Sequence, residues 1–247
     1  MRPTIAFAGL TACSGCQLTL LNCEDELPQV AEKFSIVHFS LGMSGGDECS
    51  PLDAAFVEGA VSTPEDLEIL LSLRNRSRLL IGVGTCARWG GIAAMKNDQS
   101  RKELAAAVYG DSAHSLLTFA PGPLHRFVTV DFTIVGCPPE KTEVLATLAS
   151  LLHGTLPVFP DYPVCTECRN SENLCLLMEK DELCLGPLIQ SGCNARCPAV
   201  SIACEGCRGP VVEANVAAEL ALLLEKDFSK EEIMSRMRRF YPEWNNE

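Results

Sequence analysis

The sequence predicts an α/β protein, a doubly wound parallel sheet followed by a small domain with few regular elements. Three observations carry that expectation. Short apolar runs of strand length alternate with segments of helical periodicity through residues 1–153, the pattern of βα units that lay helices on both faces of a parallel sheet. Cysteines follow three of those runs, and the carboxyl ends of parallel strands are where such sheets gather functional residues. Beyond residue 156 the periodic runs thin out, and eight cysteines crowd into the interval 165–207.

Residues 4–10 read as a buried strand, apolar and too short for a helix. A helix is expected over 16–33, where Leu18, Leu21, Cys23, Leu27 and Val30 approximate helical spacing although Pro28 falls in its later part. The second strand is 34–39. The Gly- and Ser-rich loop that follows, through Gly42-Met43-Ser44-Gly45-Gly46, is long enough to suggest a working role. Residues 53–59 give a third strand ending in the carboxylate of Glu58. Thr63-Pro64-Glu65-Asp66 marks a helix start, because Thr can cap, Pro fits the first turn and acids favour the positive end of the dipole. That helix should run to about Asn75. The fourth strand ends at Gly84, an interrupted helical region covers 92–109, and the fifth strand ends at Gly136. Cys137-Pro138-Pro139 opens a helix over 140–152 that Gly154 stops.

Residues 1–156 are therefore expected to form a flavodoxin-like domain, and 157–247 a second one. The interval 161–210 has too few periodic apolar residues for a conventional core, so metal ligation would supply the missing organisation. A helical tail is expected over 211–226. Ser229 then caps a last short helix, with Arg236, Arg238 and Arg239 read as a solvated face.

Composition narrows the function. A chain of 247 residues with 47% hydrophobic and 21% charged residues can bury a substantial core. Its net charge of -12 argues against nucleic acid, which needs clustered Lys and Arg. No run approaches membrane-spanning length, and Met1-Arg2-Pro3 leads into the first strand without the features of a leader. A cytoplasmic location is expected. In that reducing setting fourteen cysteines are better explained as ligands than as disulfide staples.

The pair Cys13-Ser14-Gly15-Cys16 sits at the first strand-to-helix turn. Alone it fits a redox dithiol, half a zinc site or half an iron-sulfur site. Cys86 and Cys137 follow the fourth and fifth strands, so the four thiols would meet at one edge of the sheet. Four is the ligand count of an all-cysteine cluster. Zinc fits the count too, although structural zinc sites more often pair two short cysteine elements. Downstream, Cys165-x2-Cys168-x6-Cys175-x8-Cys184 and Cys193-x3-Cys197-x6-Cys204-x2-Cys207 each supply a further set of four, with interleaved assignments open. Backbone amides at Gly15 and Gly90-Gly91 are candidate donors to cluster sulfurs. Trp89 is a candidate shield for the first site or a subunit interface. Cys23 reads as a core residue and Cys49 as an incidental thiol, while His38, His114, His125 and His153 form no ligand pattern.

With these residues assembled, the chain resembles the small, electron-transfer subunit of nickel-iron hydrogenases, in particular the cytoplasmic F420-non-reducing (methyl-viologen-reducing) group. The resemblance covers almost the whole chain. It rests on Cys13-Ser14-Gly15-Cys16-Gln17-Leu18, Val57-Glu58-Gly59, Gly84-Thr85-Cys86-Ala87-Arg88-Trp89-Gly90-Gly91, Gly136-Cys137-Pro138-Pro139, Cys184-Leu185-Gly186-Pro187 and Cys204-Glu205-Gly206-Cys207. It implies a proximal 4Fe-4S cluster on Cys13, Cys16, Cys86 and Cys137, and a medial one on Cys193, Cys197, Cys204 and Cys207. Cys165, Cys168, Cys175 and Cys184 would hold a distal one. It also implies a separate large subunit carrying the nickel-iron centre and a downstream flavin or iron-sulfur subunit, so that this chain would not turn over hydrogen alone.

Two departures from the periplasmic members matter. Cys165 stands where they use a histidine, so the distal site would be all-cysteine, and Cys197 fills a medial corner where they lack a thiol, so a fourth iron should follow there. The spacer Ser14-Gly15 argues against the complex I relative, whose motif starts with adjacent cysteines. Glu58 matches a family carboxylate near the subunit boundary, as a proton relay or as a residue that orders neighbouring loops. The different-class alternative is an iron-sulfur relay subunit of a non-hydrogenase complex, heterodisulfide-reductase-like or complex-I-like, followed by a zinc scaffold.

Overall fold

Five apolar runs pair side by side into one parallel sheet, β1 (Thr4–Gly9), β2 (Ser35–Phe39), β3 (Leu52–Glu58), β4 (Ser77–Val83) and β5 (Phe132–Ile134), in the order β2-β1-β3-β4-β5. This comes from a computed structural model that describes residues 2–47, 49–115 and 117–244. The chain divides into two compact units, Met1–Pro157 and Val158–Glu247. The sequence pattern expects a division after residue 156.

The central strands are buried on both faces, which is why they read as continuous apolar runs and not as alternating ones. Ile5, Ala6, Ala54, Ala55, Phe56, Val57, Leu80 and Ile81 are inaccessible or nearly so. The Phe7 ring stacks on Phe56 at 4.8 Å and leans on Phe39 at 5.0 Å. Each such side chain contributes about 1.5–3 kcal/mol by leaving water. Because all five strands are parallel, their carboxyl ends share one edge, and the chain reverses its winding between β1 and β3.

The single helix expected over 16–33 is two, α1 (Gly15–Leu21) and α2 (Leu27–Lys33). Pro28 lies in the first turn of α2, where its missing N–H is harmless, so it starts a helix instead of bending one. α3 (Pro64–Arg76) begins as expected, with a reciprocal box in which Thr63 Oγ1 accepts from Asp66 N at 3.0 Å and Asp66 accepts from Thr63 N at 3.0 Å. The interrupted region holds α5 (Gly91–Ala94) and α6 (Arg101–Tyr109), and a further short helix, α4 (Gly84–Trp89), precedes it and carries Cys86. α7 (Lys141–Leu152) follows β5, and Gly154 ends the segment at φ +69°.

The second unit contains α8 (Val164–Asn170), α9 (Leu176–Glu179), α10 (Arg196–Ala199), α11 (Val216–Glu225) and α12 (Lys230–Arg238). Contrary to the reading of 161–210 as lacking a core, it has one. Val164, Leu176, Leu177, Leu183, Leu185, Leu188 and Ile189 pack with Leu223, Ile233, Met234, Met237 and Trp244. These apolar residues stand beside the cysteines without periodicity and converge only through turns, so no pattern announces them. α11 starts five residues later than expected because the Asn215 side chain caps it, accepting from Ala218 N at 3.1 Å. Arg236 and Arg239 are not a free solvated face: both pair with Glu205, Arg236 at 2.7 Å, and Arg236 also donates to Leu183 O at 3.2 Å.

Candidate metal centre

At the carboxyl edge of the sheet, β1 delivers Cys13 and Cys16 in a turn whose Ser14 takes φ +64°. A carboxylate holds that turn. Glu58, the last residue of β3 and 2% exposed, accepts from Cys16 N at 3.0 Å, Gln17 N at 3.2 Å and Gln17 Nε2 at 2.8 Å. On the approach to it, Thr11 and Ala60 exchange both backbone hydrogen bonds, and Thr11 Oγ1 donates to Asp66 at 2.8 Å. Gly59 is required here: its φ is +95°, and a Cβ would stand 2.8 Å from Thr11 O.

Cys86 and Cys137 are joined through their neighbours, since Thr85 N donates to Gly136 O at 2.9 Å and Gly136 N to Thr85 Oγ1 at 3.3 Å. Gly84 brings Cys16 to the same place. A Cβ on it would lie 2.4 Å from Cys16 Sγ and 3.4 Å from Gly136 O, so the missing side chain is the space the thiol occupies. The electrostatics record this gathering. Burial pushes the Cys16 thiol far up, and Glu58, Cys86 and Cys137 add to it. Burial also raises Cys86, with Cys13 and Glu58 adding to it and the N–H groups of Ala93 and Ile92 offsetting part of the rise. Thiols kept from ionising by burial and by neighbouring negative groups are matched to a cationic metal group, which deprotonates coordinating thiols outright.

The amides that reach Cys86 thus come from Ile92 and Ala93, just past the expected Gly90-Gly91. Gly90 N is taken by Cys86 O at 2.9 Å. Gly91 supplies room: at φ +49° a Cβ would stand 2.9 Å from Cys86 Sγ. The Arg88 guanidinium covers the Trp89 ring at 4.4 Å from its centroid.

In the second unit, Cys165 and Cys168 ride on α8, Cys175 precedes α9, and Cys184 lies past it. Gly186 floors this set, since a Cβ there would be 3.2 Å from Cys165 Sγ and 3.5 Å from Cys184 Sγ. The Cys165 thiol is pushed up to about 12, by burial first and then by Cys184, Cys168 and Cys175. Burial also raises Cys184, which Cys175 and Cys168 push further and the amides of Gly186 and Cys204 partly relieve. Cys204 is raised by burial, then by Cys184, Cys207 and Cys193, with relief from Gly206 N–H. Cys204 thus lies near Cys193 and Cys207 of its own set as well as Cys184 of the other. Cys197, half-buried in α10, joins Cys193, Cys204 and Cys207 by its place in the chain and not by an observed contact. The two sets abut, because Cys204 N donates to Cys184 Sγ at 3.3 Å.

Among the described residues no group of three or more His, Cys, Asp or Glu side chains is placed to hold a single metal ion. A multi-iron cluster, whose thiolates bind different irons, does not ask for that convergence. Cys23 is fully buried and its Sγ donates to Thr19 O at 3.3 Å, the expected core residue, while Cys49 is exposed. The side chain of His114 lies outside the described residues. Charged residues in and beside the ligand segments have roles that no sequence pattern assigns. Glu167 accepts from Gly192 N at 2.8 Å, Arg208 is buried beside Cys207, and Glu205 anchors α12. Their one sequence signal is a charge set within a cysteine motif.

A parallel sheet with thiols along its carboxyl edge, followed by a cysteine-rich unit, fits an oxidoreductase subunit, which is what the relatives it matches are. The chain belongs to the family described as NADH ubiquinone oxidoreductase, 20 Kd subunit, whose model matches residues 13–151, and within it to the nickel-iron hydrogenase small subunits. It is 40% identical to the sulfhydrogenase 2 subunit delta of Pyrococcus furiosus over 95% of this chain and 97% of that one. It is 30% identical to a subunit of the F420-non-reducing hydrogenase vhu of Methanocaldococcus jannaschii over 86% and 85%. Among solved structures, a chain of an NAD+-reducing [NiFe]-hydrogenase in the H2-reduced state superposes with a TM-score of 0.60 at 29% identity. That match covers 65% of this chain and 96% of the other. No described helix is long and apolar enough to cross a membrane.

Proposed function

We propose that this chain relays electrons, as the small subunit of a cytoplasmic nickel-iron hydrogenase, between the nickel-iron centre of a separate large subunit and a downstream flavin or iron-sulfur partner. It does not turn over hydrogen by itself. Cys13, Cys16, Cys86 and Cys137 would hold a proximal 4Fe-4S cluster in a domain over 1–156. Cys193, Cys197, Cys204 and Cys207 would hold a medial one, and Cys165, Cys168, Cys175 and Cys184 a distal one, in a domain over 157–247. When bound, such clusters supply one-electron carriers whose potentials follow charge, burial and hydrogen bonds to sulfur.

The observation that carries the reading is that Cys16, seated against Gly84 at the sheet edge, lies close to Cys86 and Cys137. The protein's own residues do three things there. Glu58 fixes the Cys16 turn through three accepted hydrogen bonds, which favours the ordering role over the proton relay. The amides of Ile92 and Ala93 stabilise negative charge on the Cys86 sulfur. Leu18 and Ile92, which follow Cys16 and Cys86 in the sequence, are exposed, as are Leu41, Met43 and Met95, and exposed apolar side chains of this kind are what a large subunit would cover. On the other unit, an open depression of about 430 Å³ lined by Pro163, Cys165, Thr166, Arg169, Asn170 and Pro187 supports the Cys165 side as the exit toward the downstream partner.

Anaerobic purification of the native complex tests this. The expected result is a nickel-containing partner, hydrogen-dependent dye reduction, and about twelve irons on this chain at four per cluster. A nickel-free complex with the same iron would favour the non-hydrogenase relay, and an iron-free protein would sink both readings.

A further inference from the structure

Two buried charges of opposite sign hold the segment that delivers Cys193. Glu167 sits on α8 between Cys165 and Cys168, yet its carboxylate reaches to the other cysteine set. It accepts from Gly192 N at 2.8 Å and from Ala195 N at 3.2 Å, and its Oε2 stands 3.9 Å from Cys193 Sγ. Arg208, adjacent to Cys207, secures the start of the same segment: its Nε donates to Ser191 O at 2.8 Å and to Gln190 O at 3.2 Å. Arg208 is 1% exposed and Glu167 9%.

The segment needs such support. Asn194 and Ala195 take φ +54° and +48° in succession, a left-handed conformation that residues with a Cβ resist. A turn held by hydrogen bonds alone could use neutral groups, whereas ionised side chains at this depth carry a desolvation cost that a neutral clamp avoids. Their fields reach whatever Cys193 binds, because a low-dielectric interior screens them weakly.

We infer that Glu167 and Arg208 are positioning residues for the medial cluster and set its reduction potential in opposite directions, Glu167 downward and Arg208 upward. The inference rests on reading Cys193, Cys197, Cys204 and Cys207 as that cluster's ligands. Its physical basis is the sign of charge: taking up one electron adds one negative charge to the cage, which a neighbouring carboxylate disfavours and a guanidinium favours.

The test uses the whole anaerobically purified complex carrying Glu167→Gln, Arg208→Gln or Arg208→Lys. Iron analysis is combined with a redox titration followed by electron paramagnetic resonance, and the medial signal is identified as the one that Cys197→Ala alters. Glu167→Gln should move that midpoint to higher potential and Arg208→Gln to lower potential, while Arg208→Lys keeps it near the native value. Full iron with both midpoints unmoved, or moved in the same direction, overturns the inference. So does loss of medial iron in all three variants, which would assign the pair to packing alone. Should the unsubstituted complex itself hold no medial cluster, the ligand assignment fails, a result distinguishable from the others by its iron content.

Discussion

Glu58 offers the sharpest test of how the first cysteine site is held. Glu58→Ala removes the acceptor for Cys16 N, Gln17 N and Gln17 Nε2 at once. A donor left without a partner in the interior costs about 1–3 kcal/mol, so the loss is roughly 3–9 kcal/mol if no water enters. Folded domains hold only about 5–15 kcal/mol in total, and the turn presenting Cys16 should lose its shape first. The expected outcome is a complex short of about four irons per chain, with the proximal signal missing and a lower melting temperature. Glu58→Gln keeps one carbonyl oxygen for the amides and should retain its iron with a smaller drop in stability. The assay is chemical iron and sulfide analysis alongside calorimetry of the purified complex. Full iron and an unchanged melting temperature in Glu58→Ala would refute the clamp. Full iron with slowed hydrogen turnover in Glu58→Gln would return the residue to proton transfer.

Three further outcomes are expected. Cys197→Ala should lower the iron count from about twelve to about eleven and change the medial spectrum; an unaltered count and spectrum would show that Cys197 is no ligand. Thr63→Ala breaks the reciprocal box at the start of α3 and should cost about 1 kcal/mol. For a chain of this size that is a fall of roughly 2–4 °C in melting temperature, and no change means the cap is dispensable. Glu219, buried with its Oε1 unpartnered, has its carboxyl pushed by burial from 4.5 to about 7. A folded-state value above the unfolded one means the carboxylate destabilises the fold increasingly as pH rises from about 4.5 to 7, and fully above that. Glu219→Gln should therefore raise the melting temperature at pH 8, by up to about 3 kcal/mol of stability, and leave it unchanged near pH 4.5. An equal gain at both pH values would contradict the linkage.

What the sequence made legible was whatever depends on local periodicity and caps. The five strands stand within a residue or two of where their apolar runs fall, because a strand buried on both faces must be apolar throughout. Thr63 announced α3 through chemistry confined to four residues. The elements that escaped notice answer to distant partners. α4 is only six residues long and lacks an apolar stripe; what fixes its start is the Thr85 to Gly136 pairing across 51 residues. The core of the second unit escaped because Leu183, Leu185 and Leu188 are brought to Ile233 and Met237 by turns and not by a repeating pattern. Arg208 and Glu167 escaped for a different reason. Periodicity assigns charge to the surface, and nothing in a lone Arg or Glu distinguishes the exposed case from one buried against backbone amides and carbonyls.

Both units place a carboxylate on the amides of a cysteine turn: Glu58 on Cys16 and Gln17, Glu167 on Gly192 and Ala195. Beside thiols that would carry negative charge once ligated, this is electrostatically unfavourable, and burial together with Glu58 raises Cys16 just as burial together with Glu167 raises Cys193. The arrangement would suit the proposed relay. Amides occupied by a carboxylate are withheld from sulfur, so a cluster bound there would forgo part of the hydrogen bonding that raises its potential, while the carboxylate fixes the turn through the protein's own hydrogen bonds. At Cys86 the balance is struck the other way, since Ile92 and Ala93 offer their amides directly to the sulfur. Under the proposed assignment, the proximal site would thus mix one ligand held from behind by a carboxylate with one solvated by the backbone, and the relative weight of the two would set how readily it accepts an electron.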